Sequence, residues 1–226
     1  HPFFDELPRQ ELQLEFISAQ RTRPGTIIGL LPGSRTQEVE RNLSTLVRAA
    51  SRIHAARPDT RFLVACYQEH HRDHVIARLR HRGLPVAVFA GRTPEIIHRA
   101  HSCVAVSGSV SLELLYYGKP TVVIYRIRPL DLRVSRLFIT SKYISLVNLL
   151  AGKELFPEYL TDRCQAEAVS AHVLGWLSDP AAYAAVRQEL AALRDRVAAP
   201  GACESAAQYL LDVLKQKPEM RRRAAA

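Results

Sequence analysis

From Thr26 onward the chain alternates two kinds of segment. TIIGLL (26–31), RFLVAC (61–66), VAVFAG (86–91), SCVAVSG (102–108) and TVVIYR (121–126) are short apolar runs with almost no polar alternation. Strands read this way when both faces of their sheet are covered. Between them lie SRTQEVERNLSTLVRAASRIHAARP, EHHRDHVIARLRHRG, TPEIIHRA and SVSLELLYYG, whose apolar residues fall at helical spacing. Strands alternating with helices predict an α/β domain with a doubly wound parallel sheet, Rossmann-like in architecture.

After Arg126 the pattern changes. RPLDLRVSRLFITSKYISLVNLLAGKELFPEYL (128–160) reads as a basic amphipathic stretch followed by an irregular loop holding Asn148 and Gly152. Three helical segments then close the chain. This divides the sequence into a connector (1–25), the Rossmann-like domain (26–200), a closing helix (201–217) and a basic tail (218–226). Starting at HPFFDE without a methionine, the chain reads as the C-terminal part of something longer.

With 226 residues it is long enough for one large core. No apolar run approaches the roughly 20 residues of a membrane span, and the N-terminus lacks the features of a signal peptide; a cytoplasmic protein is expected. Cys66, Cys103, Cys164 and Cys203 stand far apart, without zinc or disulfide spacing. The net charge of +9 points to acidic partners: nucleic acid, phosphorylated substrates or an anionic membrane surface. The basic residues are scattered, and no RRM, KH or helix-turn-helix pattern supports nucleic acid. His70, His71 and His74 cluster without a supporting acid and read as a polar helix face.

In doubly wound folds ligands bind beyond the carboxyl ends of the strands, where helix N-termini present unpaired N–H groups. Two junctions suit that role. In LLPGSR, Gly33 permits a tight turn, Ser34 can cap the helix and Arg35 can reach a phosphate or sugar; a well-capped βα turn is an equal reading. In VSGSVSLE, Ser107, Gly108 and Ser109 make a small turn, and N–H groups from Ser109 to Ser111 could hold a pyrophosphate. Glu113, one turn into the helix, could accept both hydroxyls of a ribose, or simply complement the helix dipole. Neither loop is GxGxxG or a P-loop.

LLPGSRTQEVERNL, SGSVSLELLYYGKPTVVIYR and KYISLVNLLAGKELFPEYL, in that order, resemble the C-terminal half of the lipid-A-disaccharide synthase family, inverting glycosyltransferases of the two-Rossmann-domain (GT-B) architecture. HPFFDE and PGACESAA also resemble family segments. The resemblance implies a donor-binding domain that transfers 2,3-diacylglucosamine from UDP-diacylglucosamine to diacylglucosamine 1-phosphate, with no metal or other cofactor. It implies UDP-donor contacts at Gly33, Ser34, Ser107, Gly108, Ser109, Glu113, Tyr125 and Arg126, and catalytic roles for Arg35 and Asn148. Val147 replaces the family's proline before Asn148. The base is expected upstream of His1, in a missing N-terminal half of the same enzyme; His1 itself is a candidate for the interdomain cleft, and an oligomer is compatible with the sequence.

Arg133 and Arg136 stand at helical spacing beside Leu132, Leu137 and Phe138. They read either as an ordinary packed helix or as a basic, apolar surface meeting acyl chains at the inner membrane. Runner-up functions are another UDP-sugar enzyme of the same architecture, such as a 2-epimerase, or a nucleotide-sugar-binding module without catalysis.

Overall fold

The computed structural model describes residues 2–80, 83–106, 108–138, 141–198 and 201–223. Its centre is a six-stranded parallel sheet of order β3-β2-β1-β4-β5-β6. The strands are β1 (Thr26–Leu31), β2 (Thr60–Cys66), β3 (Val86–Ala90), β4 (Ser102–Val106), β5 (Thr121–Arg126) and β6 (Glu158–Thr161). Around it lie α1 (Phe3–Glu6), α2 (Leu14–Arg21), α3 (Thr36–Ala56), α4 (Glu69–Leu79), α5 (Thr93–Arg99), α6 (Val110–Tyr116), α7 (Pro129–Phe138), α8 (Leu146–Ala151), α9 (Ala166–Ser178), α10 (Pro180–Val197) and α11 (Ala202–Arg223).

Alternate strand residues point to opposite faces, and here both faces are buried. Ile28, Leu30, Phe62, Val64, Val104 and Ile124 pack with Leu46 and Ile53 of α3 and Val169 and Val173 of α9. Ile27, Leu31, Leu63, Cys103 and Val123 pack with Ile96 of α5, Leu112 of α6 and Leu190 of α10. That is the doubly wound sandwich read from the uninterrupted apolar runs. Gly29 of β1 lets it close: a Cβ there would stand 2.8 Å from the buried Cys103 thiol on the neighbouring strand.

Two parts differ from the sequence reading. The irregular loop after Arg126 contains α8 and the edge strand β6, which runs parallel to β5 with Val123 opposite Glu158. Residues 2–25, read as a connector, pack against the domain: Phe4 and Leu7 are buried in the core, Phe16 meets the Phe89 ring edge-on at 4.9 Å, and Arg61 donates to Gln20 at 2.7 Å. The carboxylate of Asp5 also accepts N–H bonds from Gly201 and Cys203 at 2.7 and 2.9 Å, fixing the start of α11. That helix continues to Arg223, through part of the segment read as a tail.

Candidate functional site

The strand order reverses between β1 and β4, which pair directly, with Leu31 opposite Ala105. Connections leave these two strands toward opposite faces, so a crevice opens at their carboxyl ends. The two junctions singled out in the sequence therefore stand side by side. They line one cavity of about 1010 Å³, to which Gly33, Ser34, Arg35, Gly108, Ser109 and Glu113 all contribute. Tyr67, Gly91 and Thr93, beyond β2 and β3, and Phe3 and Gln10 of the N-terminal segment add to its wall.

The sequence PGSRTQE is explained by one side chain, Glu38. From the first turn of α3 its Oε2 reaches back to accept the N–H groups of Ser34 and Arg35 at 3.1 and 3.3 Å, satisfying amides that the helix start leaves unpaired. Gly33 makes room for it: its φ is +110°, and a Cβ would come within 2.8 Å of Glu38 Cβ and Oε2. Ser34, expected as the cap, does not serve as one. Arg35 is the N-cap residue, and its hydroxyl neighbour gives way to a carboxylate better placed to reach two amides. The Arg35 side chain is 79% exposed and only loosely paired with Glu38 at 3.6 Å. It is free to meet a ligand.

Thr36 shares a hydrogen bond of 3.2 Å with His71 Nε2. His71 is thus buried against the start of α3 rather than on a polar helix face. Burial, with His70 and His74 beside it, lowers its pKa.

In the second loop Ser107 lies outside the described residues. Gly108 has open space where a Cβ would stand, so a ligand can approach this backbone closely. The Ser111 N–H, expected among the pyrophosphate donors, is spent on Gly108 O at 3.1 Å. Glu113 is 7% exposed, yet its Oε1 has no hydrogen-bond partner among the described residues. Burial, and secondarily the nearby Glu95, lift its pKa to about 7. A buried, unpartnered carboxylate oxygen bordering a cavity is costly unless something fills it.

Beyond Arg35 lies a smaller cavity of about 310 Å³, lined by Arg35, Arg41, Tyr125 and Arg126 among others. Tyr125 borders both cavities. Arg126, expected on the UDP donor, borders only the smaller one, because its guanidinium is drawn aside by Ser44 Oγ and Asp162 O, each at 3.1 Å. Asn42 bridges the elements here, donating to Glu38 O at 2.8 Å and accepting Arg126 N–H at 3.0 Å.

Asn148, expected to act on the substrate, is fully buried and has its polar atoms committed. Its Oδ1 accepts the N–H groups of Leu155 and Phe156, and its Nδ2 donates to Phe156 O at 2.7 Å and to the Glu158 carboxylate. Glu158 in turn accepts the N–H groups of Ile144 and Ser145, and Ile144 forms part of the large cavity's wall. The asparagine shapes the wall without reaching the cavity. On α7, Leu132 faces inward and is buried, while Leu130 is exposed. The side chains of Arg136, Leu137 and Phe138 lie outside the described residues, as does His1. No helix among the described residues is long and apolar enough to cross a membrane.

Comparison with known proteins gives this architecture a lineage. The fold resembles that of WaaG, a glycosyltransferase involved in lipopolysaccharide biosynthesis, with a TM-score of 0.55 at 14% identity over 86% of this chain and 50% of that one. The lipid-A-disaccharide synthase of Azotobacter vinelandii is 37% identical over 174 residues, which is 75% of this chain and 46% of that protein. The synthase of Anaeromyxobacter sp. is 32% identical over 216 residues, covering 95% of this chain and 56% of that protein. The chain thus spans about half the length of these curated relatives. The family model of lipid-A-disaccharide synthetase matches residues 1–213, and the chain belongs to that family.

Proposed function

We propose that this chain forms the donor-binding half of a lipid-A-disaccharide synthase, which moves 2,3-diacylglucosamine from UDP-diacylglucosamine to diacylglucosamine 1-phosphate. The observation that carries the reading is the unpartnered, buried oxygen of Glu113 beside a cavity of about 1010 Å³. A ribose offers two vicinal hydroxyls to such a carboxylate, and those bonds would offset its desolvation. The Gly108–Ser109 backbone and Arg35 then face the pyrophosphate.

In the transfer, the acceptor hydroxyl oxygen bonds to the sugar's anomeric carbon as the bond to the UDP oxygen breaks. The hydroxyl proton passes to a base on the side opposite the leaving group. Negative charge grows on the departing phosphate, where Arg35 stabilises it more strongly in the transition state than in the ground state. Asn148 acts as a positioning residue through Glu158 and Ile144. Among the described residues lining the large cavity the carboxylates are Glu38, which holds two amides, and Glu113. The base therefore comes from an N-terminal half of the kind the relatives carry. The exposed Leu130 and Arg133 of α7 meet an anionic membrane surface peripherally.

Calorimetry should show UDP binding to residues 1–226, and a radiolabelled assay should show disaccharide only once the N-terminal half is supplied. Absence of UDP binding would remove the donor-site reading. Turnover by residues 1–226 alone would remove the division of labour between the halves.

A further inference from the structure

Three arginines share the smaller cavity with one carboxylate. Arg35, Arg41 and Arg126 line its volume of about 310 Å³, and Glu38 is the acidic residue beside them. Glu38 is already committed to the Ser34 and Arg35 amides and so only partly offsets the cations. Arg126 is held in place before any ligand arrives: Asn42 accepts its backbone N–H, Asp162 O accepts Nε–H and Ser44 Oγ accepts Nη1–H. A guanidinium fixed in this way loses little further freedom when an anion binds. Arg41, by contrast, makes among the described residues only a long contact of 3.4 Å to Gln37 and can turn toward a ligand.

The smaller cavity adjoins the nucleotide cavity across shared walls. Arg41 and Arg126 border only the smaller one, Gly108 and Glu113 border only the larger, and Arg35, Glu38 and Tyr125 stand between. Guanidinium forks match the oxygens of carboxylates and phosphates, and three arginines in one cavity favour the more highly charged phosphate dianion.

We propose that Arg35, Arg41 and Arg126 form a second anion subsite for a phosphomonoester, which in the reaction above is the 1-phosphate of the acceptor sugar. The identity of that phosphate rests on the synthase reading. A phosphomonoester here would place the acceptor across Arg35 from the leaving pyrophosphate, so that one guanidinium serves both substrates.

Inorganic phosphate and glucosamine 1-phosphate can each be titrated calorimetrically into the chain, free and saturated with UDP. Both should bind in either state, the sugar phosphate more tightly. Arg41→Ala should weaken both at least fivefold while UDP affinity stays within twofold. Arg41→Gln, with thermal unfolding of both variants, guards against misfolding. Displacement of phosphate by UDP, phosphate binding indifferent to both Arg41 variants, or no phosphate binding at all would overturn the subsite. Equal affinity for the two probes would overturn its assignment to an acceptor sugar. Arg41-dependent phosphate binding in a chain that fails to bind UDP would support the subsite and count against the donor site alone.

Discussion

Replacing Glu113 by glutamine should move stability and binding in opposite directions. The carboxyl is 7% exposed, and burial, with Glu95 nearby, holds its pKa at about 7 instead of the ordinary 4.5. Each pH unit of such displacement corresponds to about 1.4 kcal/mol, so above pH 7 the ionised group costs the folded state about 3 kcal/mol. The sign follows from proton binding. Between the two pKa values the folded chain holds a proton that the unfolded chain has lost, and stability falls as pH rises through that window. Glutamine keeps the shape and never ionises. Urea unfolding at a series of pH values from 5 to 8.5 should therefore show Glu113→Gln gaining on the parent progressively, by as much as about 3 kcal/mol at the alkaline end. Calorimetry on the same variant should show UDP binding weakened about tenfold or more, as expected for loss of a charged hydrogen-bond acceptor. A stability difference that does not change with pH would refute the buried-carboxylate argument. Unchanged UDP affinity in a folded variant would refute the ribose contact.

The side chain of Arg35 is largely exposed and its ion pair with Glu38 is long, so Arg35→Ala should cost under about 1 kcal/mol of stability. In the enzyme completed with its N-terminal half, turnover should fall roughly a hundredfold; loss of stability with normal turnover would assign Arg35 a structural role instead. Asn148→Ala should do the reverse. It strands the amides of Leu155 and Phe156 and takes from the Glu158 carboxylate one of its donors, costing about 3 kcal/mol or more in urea unfolding. UDP affinity of the folded fraction should stay within about threefold, and a variant with normal stability and no turnover would restore Asn148 to the chemistry.

The central sheet was legible because strands buried on both faces need uninterrupted apolar runs, which β1, β2, β4 and β5 supply. β6 was not, since Glu158–Thr161 is an edge strand only partly buried and lacks such a run. The two loops were legible from residue type and from their place after strands. Their adjacency depended on strand order, which periodicity does not encode. Ser34 was a misleading cap signal because serines commonly fill that position, while the effective signal was Glu38, three residues past Arg35. Asn148 illustrates a different limit: nothing in SLVNLL shows whether an amide is spent on its own loop. In HPFFDEL the apolar Phe4 and Leu7 do carry a core signal, but so short a run does not show which surface it packs against.

The direct pairing of β1 with β4 has a consequence for time scales. Both candidate loops grow from the innermost strands of the sheet, whose amides bond to one another beneath fully buried side chains. In deuterated solvent, amides such as those of Gly29 and Val104 should open only when the whole domain unfolds, whereas Gly108 and Ser109 should exchange through small local openings. Nucleotide would then slow labelling of the loops by its own occupancy, and of the strands only as far as it raises global stability. The site thus combines a floor that moves on the slowest clock of the molecule with a rim that moves on a much faster one.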